Sequence, residues 1–287
     1  MTQQKKPATV LDYLKITEDF FLSKKIASAR LDAELLLAKV LNLNRIDLYI
    51  NYEMLLSQEE VSRYRELVAR RGKREPVAYI LGNKEFFSRD FIVNRDVLVP
   101  RPETETLVEE VLRIVETLNS PTILEVGVGS GCNIITVALE YPQAVYFGND
   151  ISSKALTVAK QNVEKHNLVD QISLSQADMC GNCKIEQFDL IFSNPPYIEE
   201  DEYNSLEPEL FYEPKIALMA KDDGLSFYKR IIYEGNKFLK DDGFFLLEIG
   251  SFKQKQFLTN NFKENGWNEI YFVKDLSSFP RVAVLKK

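Results

Sequence analysis

Thr122-Ile-Leu-Glu-Val-Gly-Val-Gly-Ser-Gly-Cys132 decides the fold. A short apolar run (Thr122–Gly127) reads as a strand. It gives way through closely spaced glycines to Ile134, Ile135, Val137, Ala138 and Leu139, the apolar stripe of a helix over Cys132–Glu140. The same alternation continues downstream. Ala144–Asn149 reads as a strand, Ser153–His166 as a helix, and Ile172–Gln176, Asp189–Ser193, Phe244–Ile249, Asn268–Val273 and Arg281–Leu285 as further strands. Short strands separated by helices predict an α/β fold with a doubly wound, mostly parallel sheet, and a site at the carboxyl ends of its strands.

Glycine between the first strand and its helix lets the chain turn tightly, adopt positive φ and bring backbone amides to a ligand. A G-x-G run alone is shared by dinucleotide folds and plain turns. The second strand, Tyr146-Phe-Gly-Asn-Asp150, adds a carboxylate about 20 residues on, where both hydroxyls of a ribose can be accepted. The loop Gly127-Val128-Gly129-Ser130-Gly131 differs in spacing from pyrophosphate-binding loops and carries no basic residue. A cofactor with ribose and adenine but no phosphate, S-adenosylmethionine, suits it better than NAD. Asp178 and Met179 follow the third strand, where the adenine should lie. Asp178 is either an acceptor for the exocyclic amine or a capping or solvated carboxylate; Met179 either covers a ring face or belongs to the core. Glu125 either accepts from the cofactor's amino group or caps the loop's own amides.

The strand Phe188-Asp-Leu-Ile-Phe192 leads into Ser193-Asn-Pro-Pro-Tyr-Ile198. The Asn194 side-chain carbonyl and the Pro195 backbone carbonyl are acceptors held at a set separation, because Pro195 and Pro196 have fixed φ and no N–H to compete. Such a pair can hold a planar –NH2 group by its two hydrogens, with Tyr197 as a flat wall beside it. The predicted acceptor atom is therefore a nitrogen on a conjugated amide or amine.

Upstream, Ala8 to about Leu81 has helical spacing, and Ser57 with Glu60 forms a capping box for a helix closed by Gly72. Arg63, Arg65, Arg70, Arg71, Lys73 and Arg74 on that helix read either as a solvated face or as a patch for a partner or its RNA. Alternation from Glu85 to Val99 predicts a β-hairpin, and Arg101-Pro102-Glu103-Thr104-Glu105 opens a helix. The expected domains are a helical bundle over 1–82, a hairpin linker over 83–101 and a catalytic domain over 102–287.

The 287 residues suffice for about two domains, and a net charge of −7 gives no support to general binding of a nucleic-acid backbone. Three cysteines are too few for a disulfide framework, and Cys180-Gly-Asn-Cys183 lacks companions for zinc, so no metal is expected. The one histidine, His166, reads as an exposed helix end, which removes histidine-based nucleophilic schemes. Residues 1–7 lack an apolar leader core, and no stretch approaches a membrane span. A cytoplasmic protein follows, with a monomer as the default.

Together these segments resemble the peptide chain release factor glutamine N-methyltransferase family. The likeness rests on Arg30-Leu-Asp-Ala-Glu34, Glu75-Pro-Val-Ala-Tyr79, Leu81-Gly-Asn-Lys-Glu-Phe86, Val97-Leu-Val-Pro-Arg-Pro-Glu-Thr-Glu105, the glycine loop, Asn194-Pro-Pro-Tyr-Ile198, Glu213-Pro214 with Ala217-Leu218, and Leu247-Glu-Ile-Gly250. It implies a Rossmann-like class I methyltransferase that modifies the glutamine amide in the Gly-Gly-Gln loop of class I release factors. Gly127 to Gly131, Asp150, Met179 and Asn194 would then meet the cofactor. Asn194, Pro195, Pro196 and Tyr197 would meet the glutamine, and the N-terminal helices the body of the protein substrate. Glu125 and Val128 stand where Asp and Thr are usual, Ser88 replaces a glycine, and Gln254 is spaced differently. A sister family acting on a ribosomal protein would carry Arg-Ser-Pro in place of Arg-Pro-Glu. Two other readings are an adenine methyltransferase, which would flip a base onto Tyr197, and a scaffold that binds a translation factor.

Overall fold

Side-chain caps set several of the helix starts in the N-terminal part of the chain. The computed structural model describes residues 8–181 and 187–287. These fall into two units, one comprising the chain up to Gly82 with Glu207–Tyr212, the other Asn83–Leu206 with Glu213–Lys287. The first unit holds α1 (Val10–Ser23), α2 (Ala29–Leu41), α3 (Arg45–Ile50), α4 (Gln58–Gly72) and α5 (Val77–Leu81). Thr9 and Asp12 form a capping box at α1, and Ser57 and Glu60 form the predicted one at α4. Leu14, Phe21, Leu36, Leu37, Leu48 and Tyr64 are buried together between these helices. A Cβ on Gly72 would lie 2.7 Å from the Phe20 ring, so any other residue there displaces that exposed ring.

The basic helix matches the solvated-face reading in part: Arg63, Arg65, Arg70 and Lys73 are exposed, whereas Arg71 and Arg74 are not. Arg71 is buried and pairs with Asp32 at 2.6 Å and Glu209 at 2.9 Å. Arg74 pairs with Glu207 and Glu209, both at 2.6 Å, and Arg70 with Glu75 at 2.9 Å. Half the basic residues on that stretch are thus paired inside the unit, and for buried Arg71 the pairing is obligatory because a buried guanidinium must be paired. The carboxylates of Glu207 and Glu209 come from a segment far along the chain.

The second unit begins with a hairpin of β1 (Asn83–Phe86) and β2 (Arg89–Ile92), turned by Phe87 and Ser88 with φ of 50° and 57°. Two consecutive positive φ values match the twist of the strands they join. The hairpin is shorter than expected, and Val97–Val99 lies outside any strand. The Val99 N–H is instead satisfied by the Glu213 carboxylate at 3.0 Å.

Seven strands form the main sheet: β3 (Thr122–Val126), β4 (Val145–Asp150), β5 (Ile172–Gln176), β6 (Phe188–Ser193), β7 (Leu239–Glu248), β8 (Glu269–Lys274) and β9 (Pro280–Lys286). Their order is 5-4-3-6-7-9-8, parallel except that β9 runs antiparallel to β7 and β8. β7 starts at Leu239 rather than Phe244, since the polar stretch Lys240–Gly243 masks its beginning.

Side chains alternate across the sheet. Ile123, Tyr146 and Leu190 pack with Leu107 and Val111 of α6 (Glu105–Val115), Ile134 and Val137 of α7 (Cys132–Glu140), and Ala159 of α8 (Ser153–Lys165). Leu124, Ile191 and Phe245 pack on the other side with Tyr228 and Ile231 of α9 (Ser226–Glu234) and Leu258 of α10 (Phe252–Asn261). The sheet is doubly wound. Its order reverses between β3 and β6, which opens a crevice at their carboxyl ends. Among the described residues no helix is long and apolar enough to cross a membrane.

Candidate active site

The glycine loop leaves β3 at that crevice. Gly127, Gly129 and Gly131 have φ of 74°, 54° and 80°, a region that side chains disfavour. A Cβ on Gly127 or Gly129 would meet nothing within 4 Å, so these two glycines bare the backbone to open space. The Gly127 and Val128 amides each donate to the Asn149 carbonyl at 2.9 Å, and Asn162 of α8 donates to the Ser130 carbonyl at 2.8 Å. The Val128 side chain is buried in the core, where a Cβ on Gly148 would come within 2.6 Å of it. Val128 therefore serves the site through its backbone.

Glu125 caps the loop's helix. Its carboxylate accepts from Asn133 Nδ2 at 2.9 Å and from the Ile134 N–H at 3.0 Å. Full burial pushes its carboxyl up to about 8 against the pull of those two donors, with Asp150 adding repulsion. Glu125→Ala strands both donors, so a loss of about 2–4 kcal/mol in unfolding free energy is expected by urea titration. The wild-type group should also give stability a slope. Its contribution is complete below 4.5, its ordinary value, and is lost as pH rises through about 8; the alanine variant should lack that slope.

Asp150 ends β4 with Oδ2 accepting from the Gly129 N–H at 3.0 Å and Oδ1 from the Ser152 N–H at 2.9 Å. Burial raises its carboxyl above the ordinary range even so. Asp178 is held in a two-point pair by Arg230 of α9, at 2.8 and 3.1 Å. Met179 takes positive φ (53°), accepts from Asn149 Nδ2 at 2.7 Å, and both borders the crevice and packs on the core. Cys180 is buried, while Cys183 and residues 1–7 lie outside the described residues. His166 is half-buried rather than exposed, its ring 4.8 Å from that of Phe91.

At the other end of the crevice, Ser193 Oγ donates to the Val126 carbonyl at 2.6 Å and ties the exits of β6 and β3 together. Asn194 Nδ2 then donates to Thr104 Oγ1 at 3.1 Å, which leaves the amide oxygen as the end not held by Thr104. Arg101, in the same turn as Thr104, is paired with Glu213. Tyr197 packs beside the crevice rather than along the cavity lining. Its ring fills the slot left by Gly250, where a Cβ would come within 2.3 Å of it, and its hydroxyl lies 3.5 Å from Glu248 Oε1. Gln254 caps α10 by accepting from the Gly250 and Ser251 amides at 2.9 and 2.7 Å, and its Nε2 donates to the Tyr197 carbonyl at 3.3 Å.

Part of this crevice forms a cavity of about 540 Å³, the size of a small-molecule site. Gly127–Ser130, Asp150, Asp178 and Met179 border it, as do Asn194, Pro195, Pro196 and Thr104; Gly131, Tyr197 and Glu125 do not, Gly131 lying instead against Ile135 and Ala159.

Residues 12–82 match the PrmC N-terminal domain, and residues 104–221 the methyltransferase small domain. The release factor glutamine methyltransferase of Geobacter sulfurreducens is 36% identical over 98% of both chains. The protein of that description from Rhodopirellula baltica is 38% identical over 100% of this chain and 99% of its own. The chain belongs to the release factor glutamine methyltransferase family. A bifunctional methyltransferase of Rickettsia felis is 39% identical over 90% of the chain, which spans 54% of that longer protein. Among solved structures, the catalytic domain of hMettl16 with an MAT2A 3′UTR hairpin matches at a TM-score of 0.58 and 17% identity, covering 80% of this chain and 81% of that one. A methyltransferase from Pyrococcus furiosus matches at 0.52 and 17% identity, covering 71% and 91%. At that identity the likeness concerns the fold alone.

In this release factor glutamine methyltransferase family member, sequence reading missed roles for Arg230, Thr104, Glu213 and Glu248. Thr104 and Glu213 lay inside segments that carried the family likeness, but nothing local marked Thr104 as the partner of Asn194. Arg230 belongs to a helix with no motif of its own.

Proposed function

We propose that the chain transfers a methyl group from S-adenosylmethionine to the side-chain amide nitrogen of the glutamine in the Gly-Gly-Gln loop of class I peptide chain release factors. The observation that carries this reading is Asn194, whose Nδ2 is taken by Thr104 at the rim of the cavity that Pro195 also borders. Its Oδ1 remains to accept from an amide –NH2.

The residues fit the cofactor. The cavity is large enough, Gly127 and Gly129 expose backbone to open space, and Asp150 places a carboxylate beside the loop for the ribose hydroxyls. Asp178 would receive the adenine amine with its outer lone pairs, and Met179 would cover the ring. When bound, S-adenosylmethionine supplies a methyl group already activated by its sulfonium charge.

The protein's own task is alignment. An amide nitrogen is a poor nucleophile because its lone pair is delocalised. Asn194 Oδ1 and the Pro195 carbonyl take one N–H each and aim the nitrogen's face at the methyl position. Both acceptors also favour the positive charge that grows on nitrogen during attack. A base need not act first, because the nitrogen becomes acidic once alkylated.

Methyl transfer from labelled S-adenosylmethionine to purified release factor tests this, with a Gln→Ala variant of the Gly-Gly-Gln loop as control. Label lost only with that variant supports the proposal. Cofactor binding without transfer to release factor overturns the acceptor and turns attention to a ribosomal protein or DNA. Absence of cofactor binding favours a scaffold.

A further inference from the structure

Helix α9 has two working faces. Tyr228 and Ile231 are buried in the core, while Phe227 and Arg230, one turn apart, border the cavity, as do Asp178 and Met179. The backbone that presents Asp178 is fixed from β4. The Ala177 N–H donates to the Asp150 carbonyl at 3.1 Å, and Asn149 Nδ2 donates to the Met179 carbonyl at 2.7 Å. The Asp178 side chain is held differently. Among the described residues its carboxylate has Arg230 as its hydrogen-bond partner, with Nη1 to Oδ1 at 2.8 Å and Nη2 to Oδ2 at 3.1 Å.

We infer that Arg230 is a positioning residue for the cofactor's base: by holding both oxygens of Asp178 it makes the cavity select adenine over purines that carry an oxygen at C6. The inference rests on the proposed reception of the adenine amine by Asp178. An arginine fork is planar and meets both oxygens of a carboxylate at once, which fixes the plane of the group as well as its place. Each oxygen keeps a further lone pair for a ligand. A carboxylate only accepts, so it binds the exocyclic amine of adenine and repels the C6 carbonyl of hypoxanthine. Without the fork, a side chain 56% exposed turns into water and must be ordered each time a base binds.

The pair contributes little to folding. Both side chains are open to solvent, 41% for Arg230 and 56% for Asp178, so water screens their attraction. Orientation is what its two-point geometry supplies, and the two roles separate on measurement. A purely structural ion pair moves the melting temperature and leaves base selection alone; a positioning pair does the reverse.

The test is calorimetric titration of the full chain with S-adenosylhomocysteine and with S-inosylhomocysteine, whose base carries a carbonyl at C6. Wild type should prefer the adenine compound by about 10–10²-fold, the worth of a hydrogen bond to a charged group. Arg230→Ala should cut that preference to about threefold or less, since the acceptor must then be ordered on binding. Arg230→Lys, which keeps the charge and loses the fork, should fall between the two. Asp178→Ala should lose the preference, and adding Arg230→Ala to it should change nothing further. A wild-type preference in Arg230→Ala, alongside its loss in Asp178→Ala, overturns the inference. If Arg230→Ala does not fold, Arg230→Lys decides, and an undiminished preference there overturns it. A preference that survives Asp178→Ala would instead move the adenine away from Asp178, so the two failures are distinct.

Discussion

Asn194→Ala should lower kcat for methyl transfer by about 10²–10³-fold, the cost of deleting one preorganised group aimed at developing charge. Affinity for S-adenosylmethionine should change by no more than about threefold, because the asparagine's polar contact is with Thr104 at 3.1 Å and the loop glycines and Asp150 stay in place. The asymmetry follows from where the charge appears. Before attack the acceptor amide has an uncharged, delocalised nitrogen that hydrogen-bonds weakly as a base; in the transition state its two N–H groups become stronger donors. An oxygen that accepts from them therefore stabilises the transition state more than the bound ground state. Single-turnover kinetics with release factor, alongside calorimetric titration of the cofactor, separates the two quantities. Near wild-type turnover would remove Asn194 from the chemistry, and loss of cofactor binding would recast it as part of the cofactor's seat.

The sheet was legible because its signals are local. Cys132–Glu140 and Ile172–Gln176 occur with the predicted bounds, since strand and helix periods, glycines and capping residues act within a few positions of one another. The place of Asn194 and Pro195 at the exit of β6 was legible for the same reason. Their scaffolding was not. The hydrogen bond from Asn194 to Thr104 joins residues 90 apart, that from Val99 to Glu213 spans 114, and Arg71 finds Glu209 across 138. No pattern in one sequence announces such pairs, because only the folded topology brings them together. The packing of Tyr197 was hidden for a related reason. An aromatic after two prolines suggests a wall for a ligand, but the space that claims it is made by Gly250, on the far side of a strand pairing. The basic helix was legible only in part: four of its six cations do face solvent, but the carboxylates that hold Arg71 and Arg74, Asp32, Glu207 and Glu209, arrive from elsewhere in the chain.

Asp150→Ala should have the opposite kinetic signature from Asn194→Ala. Hydrogen bonds to a charged group are worth about 1.5–3 kcal/mol, so removing the ribose acceptor should weaken S-adenosylmethionine binding by roughly 10–10²-fold. The carboxylate also accepts from the Gly129 and Ser152 amides at 3.0 and 2.9 Å, so part of the loss would come from a glycine loop that no longer keeps its shape. Once the cofactor is saturating, kcat should return to within about fivefold of wild type, because Asn194 and Pro195 are untouched and uniform binding lost from the ground state is lost equally from the transition state. Affinity should further depend on pH in wild type. Burial raises the Asp150 carboxyl above its ordinary value of 3.8, and the charged form is the one that accepts both hydroxyls, so binding should weaken as pH falls through that raised value. The alanine variant has nothing to titrate there and should bind with a flat acid limb. Unchanged affinity in Asp150→Ala would move the ribose away from β4, and with it the assignment of the Gly127–Gly131 end of the cavity to the nucleoside.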